Sequence, residues 1–230
     1  FTESGNNPGG GYQANTTGGF SIVDYTGTGS AGTVSHGLGA VPHWIVVKGR
    51  EHSGGWITYH HKNTDAPETD YLVLNTDAAT VDSANKFNDT EPNTSYATIG
   101  GDDNISSGTM LLYSFAEVQG YSKFGRYTGN GNADGPFVYT GFKPAWVLTK
   151  NISSAGGWAI MDTGRSSLNV INEYLIANTS DTESTGQDFD IDSVSNGFKI
   201  RYNNGNYNAS NDSFIYMAFA EHPFVSSEGV

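Results

Sequence analysis

The chain has no cysteine in its 230 residues, which excludes disulfides and Cys-ligated zinc and leaves the redox compartment unread. Basic residues are scarce: 11 Lys and Arg stand against 24 Asp and Glu, a formal net charge of −13. That field repels phosphate backbones and anionic lipid, so nucleic acid is excluded as a partner and anionic membrane surfaces are disfavoured. No apolar run approaches the roughly 20 residues of a membrane-spanning helix, which argues against membrane insertion. No secretory leader is legible, and a chain that opens on Phe1 is expected to be part of a longer product. Helical apolar spacing is missing throughout, because glycine or β-branched residues interrupt every candidate stretch. Nucleophilic catalysis has no handle either, with no G-x-S-x-G elbow and no thiol.

What the chain does have is glycine (30), tyrosine (13) and phenylalanine (12), the composition of short strands and tight turns. It also says the same thing twice. Pro42-His43-Trp44-Ile45-Val46-Val47-Lys48 answers to Pro144-Ala145-Trp146-Val147-Leu148-Thr149-Lys150, and Gly54-Gly55-Trp56 to Gly156-Gly157-Trp158. Tyr71-Leu72 with Asn75-Thr76 matches Tyr174-Leu175 with Asn178-Thr179, and Phe115-Ala116-Glu117 matches Phe219-Ala220-Glu221. The offset drifts only from 102 at Pro42 to 104 at Glu117. About seven short strands per hundred residues, punctuated by turn residues, is the signature of a β-sandwich.

The expected organisation is therefore an all-β chain of two tandem, homologous, jelly-roll-like sandwich domains over 19–121 and 122–230, after an extended linker or docking arm at 1–18. In the first half, strands are predicted at Phe20 to Tyr25, Pro42 to Lys48, Trp56 to His60, Tyr71 to Asn75, Tyr96 to Ile99 and Met110 to Glu117. In the second they fall at Lys123 to Tyr127, Phe137 to Thr140, Ala145 to Lys150, Trp158 to Asp162, Tyr174 to Ala177, Gly197 to Arg201 and Phe214 to Glu221. Gly49 to Gly55 and Asn151 to Gly157 read as hairpin loops. Ala78 to Ala84 and Ser180 to Thr185 stand at equivalent places, so both form a short helical turn or neither does.

The repeat sorts scaffold from site. Trp44, Trp146, Trp56 and Trp158 occur as matched pairs and are assigned to core packing, with sugar stacking as the other reading. Lys48 with Glu117, and Lys150 with Glu221, are expected to be structural pairs rather than catalytic groups. Gly27-Thr28-Gly29-Ser30-Ala31-Gly32 has the form G-x-G-x-x-G, yet no helix can follow it to hold a pyrophosphate, so it reads as a turn. Asp188, Asp190 and Asp192 alternate, and Asp102-Asp103-Asn104 is a second oxygen-rich tract. Ca2+ is the cofactor such tracts suit, although Ser193 and Lys199 stand where an EF-hand needs Gly and Glu. A solvated polar edge that discourages aggregation is the alternative. Five of six histidines (His36, His43, His52, His60, His61) fall in the first half, without a recognisable ligand spacing.

Several phrases together carry a resemblance: GFSIVDYTGTG at Gly19–Gly29, HGLG at His36–Gly39, FAEVQGYSKFGRYTGNG at Phe115–Gly131, DGPFVYTGFKPA at Asp134–Ala145 and YMAFAEHPF at Tyr216–Phe224. Over residues 19–225 the chain resembles a two-repeat β-sandwich module found in tailed-bacteriophage virion proteins of tail-fibre-like or structural type. The resemblance implies a non-enzymatic module on the virion surface, outside the cell, involved in host attachment. Its implied partners are other virion proteins, host-surface glycans and further copies of itself, with a trimer by analogy. A purely architectural or decoration subunit and a polysaccharide-degrading enzyme are the alternatives. A lectin-like module should expose an aromatic beside polar groups in one copy, whereas an enzyme should place two carboxylates about 5–10 Å apart in a cleft.

Overall fold

A computed structural model describes residues 10–186 and 188–223, and the first nine residues of the expected arm lie outside that range. The fold is all-β, built from antiparallel sheets of the β-sandwich class. Among the described residues two compact units form: unit 1 takes those up to Leu74 and again Thr80–Glu117, whereas unit 2 takes Asn75–Ala79 and those from Val118 onward.

Unit 1 contains β1 (Gly10–Asn15), β2 (Phe20–Thr26), β3 (Gly32–Ser35), β4 (Trp44–Gly49), β5 (Ile57–His60), β6 (Asp70–Val73), β7 (Val81–Asp82), β8 (Tyr96–Ile99) and β9 (Thr109–Phe115). Its large sheet runs β1-β2-β9-β4-β5-β6-β7, and β3 pairs with β8 in a second, two-stranded sheet. Unit 2 contains β10 (Ser122–Thr128), β11 (Phe137–Tyr139), β12 (Pro144–Asn151), β13 (Ala159–Asp162), β14 (Glu173–Ile176), β15 (Ser184–Thr185), β16 (Ile191–Val194), β17 (Gly197–Ile200) and β18 (Ser213–Ala220). Its large sheet runs β10-β18-β12-β13-β14-β15 and its small one β11-β17-β16. Strand for strand from β2 and β10 onward, the two large sheets have the same order.

Each unit closes its core between a large and a small sheet. In unit 1, Val23, Tyr25, Ile45, Val47, Ile57, Tyr59, Met110 and Leu112 of the large sheet pack with Val34, Ala97 and Ile99 of the small one. Phe87, from the one-turn helix α1 (Ala84–Phe87), joins them. In unit 2, Tyr127, Val147, Met161, Phe214 and Tyr216 pack with Val138, Ile191, Phe198 and Ile200. Alternation sets these faces: in β2 the buried residues are Ser21, Val23 and Tyr25, while Phe20, Ile22 and Asp24 share the other face.

The Gly-rich phrases are turns, as their lack of a following helix requires. Gly29 and Gly131 both sit at positive φ, 75° and 65°, where a Cβ is disfavoured. An asparagine reaches into each turn. Asn104 Nδ2 donates to Thr28 Oγ1 at 2.8 Å and Ser30 O at 2.7 Å; Asn208, in the one-turn helix α2 (Gly205–Asn208), donates from Nδ2 to Asn132 O at 2.7 Å.

Three details of the fold have physical reasons. Residues 10–15, within the expected linker or docking arm, form a strand, because their backbone extends the ladder of β2 with Gly10 opposite Tyr25 and Asn15 opposite Phe20. A ladder needs no apolar side chains, so composition alone does not reveal it. β3 lies within the stretch expected to be a turn and contributes Val34 to the core. Of the two alternatives for Ala78 to Ala84 and Ser180 to Thr185, the second holds: neither is a helical turn, and both regions supply two-residue edge strands, β7 and β15.

Candidate binding face

The outer side of the small sheet of unit 2 carries the most exposed aromatic pair among the described residues. β11 has the alternation exposed, buried, exposed. Val138 enters the core at 5 % exposure, so Phe137 at 47 % and Tyr139 at 64 % must face solvent. β11 is an edge strand, with its neighbour β17 on one side only. Phe137 stands opposite Lys199 and Tyr139 opposite Gly197. The Phe137 ring lies across Gly197, where a Cβ would come within 2.9 Å of it.

Charged groups continue the same row. Lys199 is opposite Asp192 on β16; it donates to Gly135 O at 2.6 Å and pairs with Asp134 at 2.7 Å. The Lys199 hydrogen bond and charge hold the Asp134 carboxyl below the usual carboxylate range. Arg201 reaches Asp192 at 3.3 Å. Beyond β16, Asn169 exchanges two amide hydrogen bonds with the Ser193 backbone, both 2.9 Å, beside the exposed Leu168 and Val170. Two aromatic faces flanked by fixed ion pairs can stack on a planar apolar surface and hydrogen-bond its edge. That is the chemistry of a sugar ring, which has C–H faces and hydroxyl rims.

The first half lacks this face. Val34 is the buried counterpart of Val138, and Gly37 at φ 70° that of Gly141 at φ 85°. In that register Thr33 and Ser35 stand where Phe137 and Tyr139 do. Likewise His36 occupies the place of Thr140: Leu38 N–H donates to His36 Nδ1 at 3.2 Å and Phe142 N–H to Thr140 Oγ1 at 3.4 Å. His36 Nε2 lies 2.9 Å from Asn93 O, and burial pushes the imidazole below its ordinary value. This histidine is a buried turn cap. Sequence reasoning places Phe137 and Tyr139 on a strand without assigning them a role, and the signal that finds them is the paired phrase Thr-Val-Ser against Phe-Val-Tyr.

The candidates expected from the acidic tracts and the repeat fall elsewhere or are already engaged. Asp188 Oδ1 accepts from Asn204 at 3.0 Å, and Tyr174 OH lies 3.2 Å from Asp188 Oδ2. Asp188 lines an open cleft of about 380 Å3 with Asp77, Tyr174, Asn178, Phe189 and Asn206. The cleft's rings are buried, Tyr174 at 7 % and Phe189 at 3 %, so it offers no stacking platform. Asp190 is buried with its Oδ1 unpartnered among the described residues; burial, then the nearby Asp188 charge, pushes its carboxyl up. Asp192 is turned to Arg201. Among the described residues no three His, Cys, Asp or Glu side chains gather as a metal-ligand set. Asp103 and Asp102 lie 3.1 and 3.9 Å from Lys86.

The scaffold residues divide more sharply than the repeat suggests. Trp44 and Trp158 are buried at 2 % and 0 %, Trp146 is half-buried, and Trp56 is exposed at 36 % with its ring stacked on Tyr113. The expected Lys–Glu pairs do not form. β4 and β9 are neighbours, but antiparallel, with Trp44 opposite Phe115 and Lys48 opposite Leu111, so Lys48 and Glu117 fall at opposite ends. Glu117 lies 3.9 Å from His61, and Glu221 pairs with Lys143 at 2.7 Å. Glu117 N–H donates to His43 Nδ1 at 3.0 Å, and the His43 and His61 rings meet edge-on at 4.4 Å. Lys48 and Lys150 instead donate to carbonyls of their hairpin loops.

Fold and site together define an all-β protein with an exposed aromatic, ion-paired face on its second unit. The chain belongs to the family described as a domain of unknown function, DUF7483, whose profile matches residues 9–223. No curated protein and no solved structure matches it.

Proposed function

We propose that this chain is a non-enzymatic attachment module of a tailed-phage virion that binds host-surface glycans through Phe137 and Tyr139. The observation that carries the reading is the exposure of both rings on one face of β11 where the first half has Thr33 and Ser35. A core requirement would keep such residues in both halves and bury them. An edge strand that left two aromatics to solvent for no purpose would invite aggregation. Lys199, Asp192, Arg201 and Asp134 supply fixed donors and acceptors around the rings, and the net negative charge favours neutral or cationic glycans over polyanions. The virion setting rests on the phrases that resemble phage structural modules.

The experiment is retention of the whole chain on a panel of immobilised bacterial surface polysaccharides, with reducing-end release assayed in parallel. Retention without release supports an adhesin. Release of reducing ends would replace this reading with an enzyme, and absence of retention across the panel would leave the architectural alternative in its place.

A further inference from the structure

In unit 2 three donors converge on one turn. Lys150 Nζ donates to Asp77 O at 3.0 Å, Gly156 N–H to the same oxygen at 2.8 Å, and Trp158 Nε1–H to Thr76 O at 3.1 Å. Lys150 completes its ammonium with Asn151 O at 2.8 Å and Gly156 O at 2.9 Å. Lys150 and Trp158 are both fully buried, as is Gly156. The ligand is backbone only: the carbonyls of Thr76 and Asp77, in the turn that follows β6.

Unit 1 carries the same receptor. Lys48 Nζ donates to Gly54 O at 2.7 Å, the counterpart of the Lys150–Gly156 bond, and to His52 O at 2.8 Å. Its third proton meets no acceptor among the described residues. Gly54, the counterpart of Gly156, is exposed, and Trp56 is exposed where Trp158 is not. Unit 2 also carries the same ligand. The turn Ala177-Asn178-Thr179 follows β14 as Leu74-Asn75-Thr76 follows β6, and Ala177 N–H donates to Trp158 O as Leu74 N–H does to Trp56 O, both at 2.9 Å. Thr179 and Ser180 are exposed.

We propose that a second copy of this chain fills the receptor of unit 1: the turn Asn178-Thr179-Ser180 of one chain docks on Lys48, Gly54 and Trp56 of the next. Ser180 O takes the place of Asp77 O, accepting from Gly54 N–H and from the third proton of Lys48. Thr179 O lies against the Trp56 indole. Because recognition runs through carbonyls, the change from Asp77 to Ser180 does not alter it. The contact is heterologous, with a different patch on each side, so it propagates into a ring where the rotation closes and a filament where it does not. Like chains of charge −13 repel one another, so added salt favours the assembly. The contact uses neither Phe137 nor Tyr139, so it stands apart from glycan binding.

The absence of cysteine makes the contact directly testable by cross-linking. A Cβ at Gly54 meets nothing within 4 Å, its backbone is outside the left-handed region, and Ser180 is exposed. Gly54→Cys and Ser180→Cys are therefore expected to leave the fold intact, which a thermal melt of each variant checks. A backbone N–H···O contact brings Cα atoms to about 5–6 Å, within disulfide reach. Mixing the two single variants under oxidising conditions should yield a cross-linked dimer at least tenfold in excess of the dimer from either variant alone. The double variant should give a ladder or a closed ring on a non-reducing gel. Equal cross-linking of each variant with itself, absence of a mixed dimer, or an internal disulfide in a monomeric double variant would each overturn the proposal.

Discussion

Lys150 Nζ lies 3.0 Å from the carbonyl oxygen of Asp77, a bond with no equivalent at its counterpart Lys48. Lys150 has three carbonyl acceptors and is fully buried; Lys48 has two and is half-exposed. The same loop chemistry is thus a closed structural plug in one unit and an open surface in the other.

Lys150→Met should therefore destabilise unit 2 far more than Lys48→Met destabilises unit 1. The first takes a buried ammonium away from three carbonyls, of which Asp77 O keeps Gly156 N–H as a donor, a loss of about 2–4 kcal/mol. The second exposes two carbonyls to water and should cost less than about 1 kcal/mol. Chemical denaturation of each variant beside the native chain, followed by circular dichroism, distinguishes the two.

Stability should also depend on pH through Lys150. Burial pushes its ammonium down to about 8 from an ordinary 10.5, with the Asp77 charge opposing. Between those values the unfolded chain binds more protons than the folded one, so stability rises with pH from about 8 to about 10.5. Below that window the lysine is charged in both states and contributes no slope. The denaturation midpoint of the native chain, measured against Lys150→Met across the window, should climb where the variant's does not.

Gly197→Ala probes the aromatic face from beneath. A Cβ there would come within 2.1 Å of Val138 O and 2.9 Å of the Phe137 ring. The backbone clash should cost about 1–3 kcal/mol, and the ring must leave its place over β17. A thermal melt measures the first effect and glycan retention the second. A fully stable variant would mean that β11 and β17 are less tightly joined than this packing requires.

The sandwich layout is legible because its strong strands alternate or run apolar between glycine turns, as in Phe20 to Tyr25 and Met110 to Glu117. What escaped has particular causes. β16 hides in an acid-rich tract because Asp192 faces outward while Ile191 and Ser193 turn in. β3 is four residues between glycines, with Val34 its only large apolar group. Phe-Val-Tyr at 137–139 reads equally well with its aromatics inward, and only the smaller Thr-Val-Ser at 33–35 shows that valine is the core position. The Lys–Glu pairing failed on strand direction, which residue matching does not encode. The closing of the Trp158 site by Thr76 and Asp77 is a contact between residues 82 positions apart in sequence, outside the reach of local pattern.

The central claim is that Phe137 and Tyr139 bind sugar, and the most direct measurement gives unit 2 the residues of unit 1 at those places. Phe137→Thr with Tyr139→Ser preserves an exposed strand, since Thr33 and Ser35 already occupy β3, so folding should be unchanged by circular dichroism. Each stacked ring contributes about 0.5–1.5 kcal/mol beyond its buried area, and the double variant should lose roughly tenfold to a hundredfold in affinity. The titration uses whichever polysaccharide retains the native chain. Loss of that order with an unchanged fold is the predicted result, and native-like affinity in the folded double variant would contradict the account.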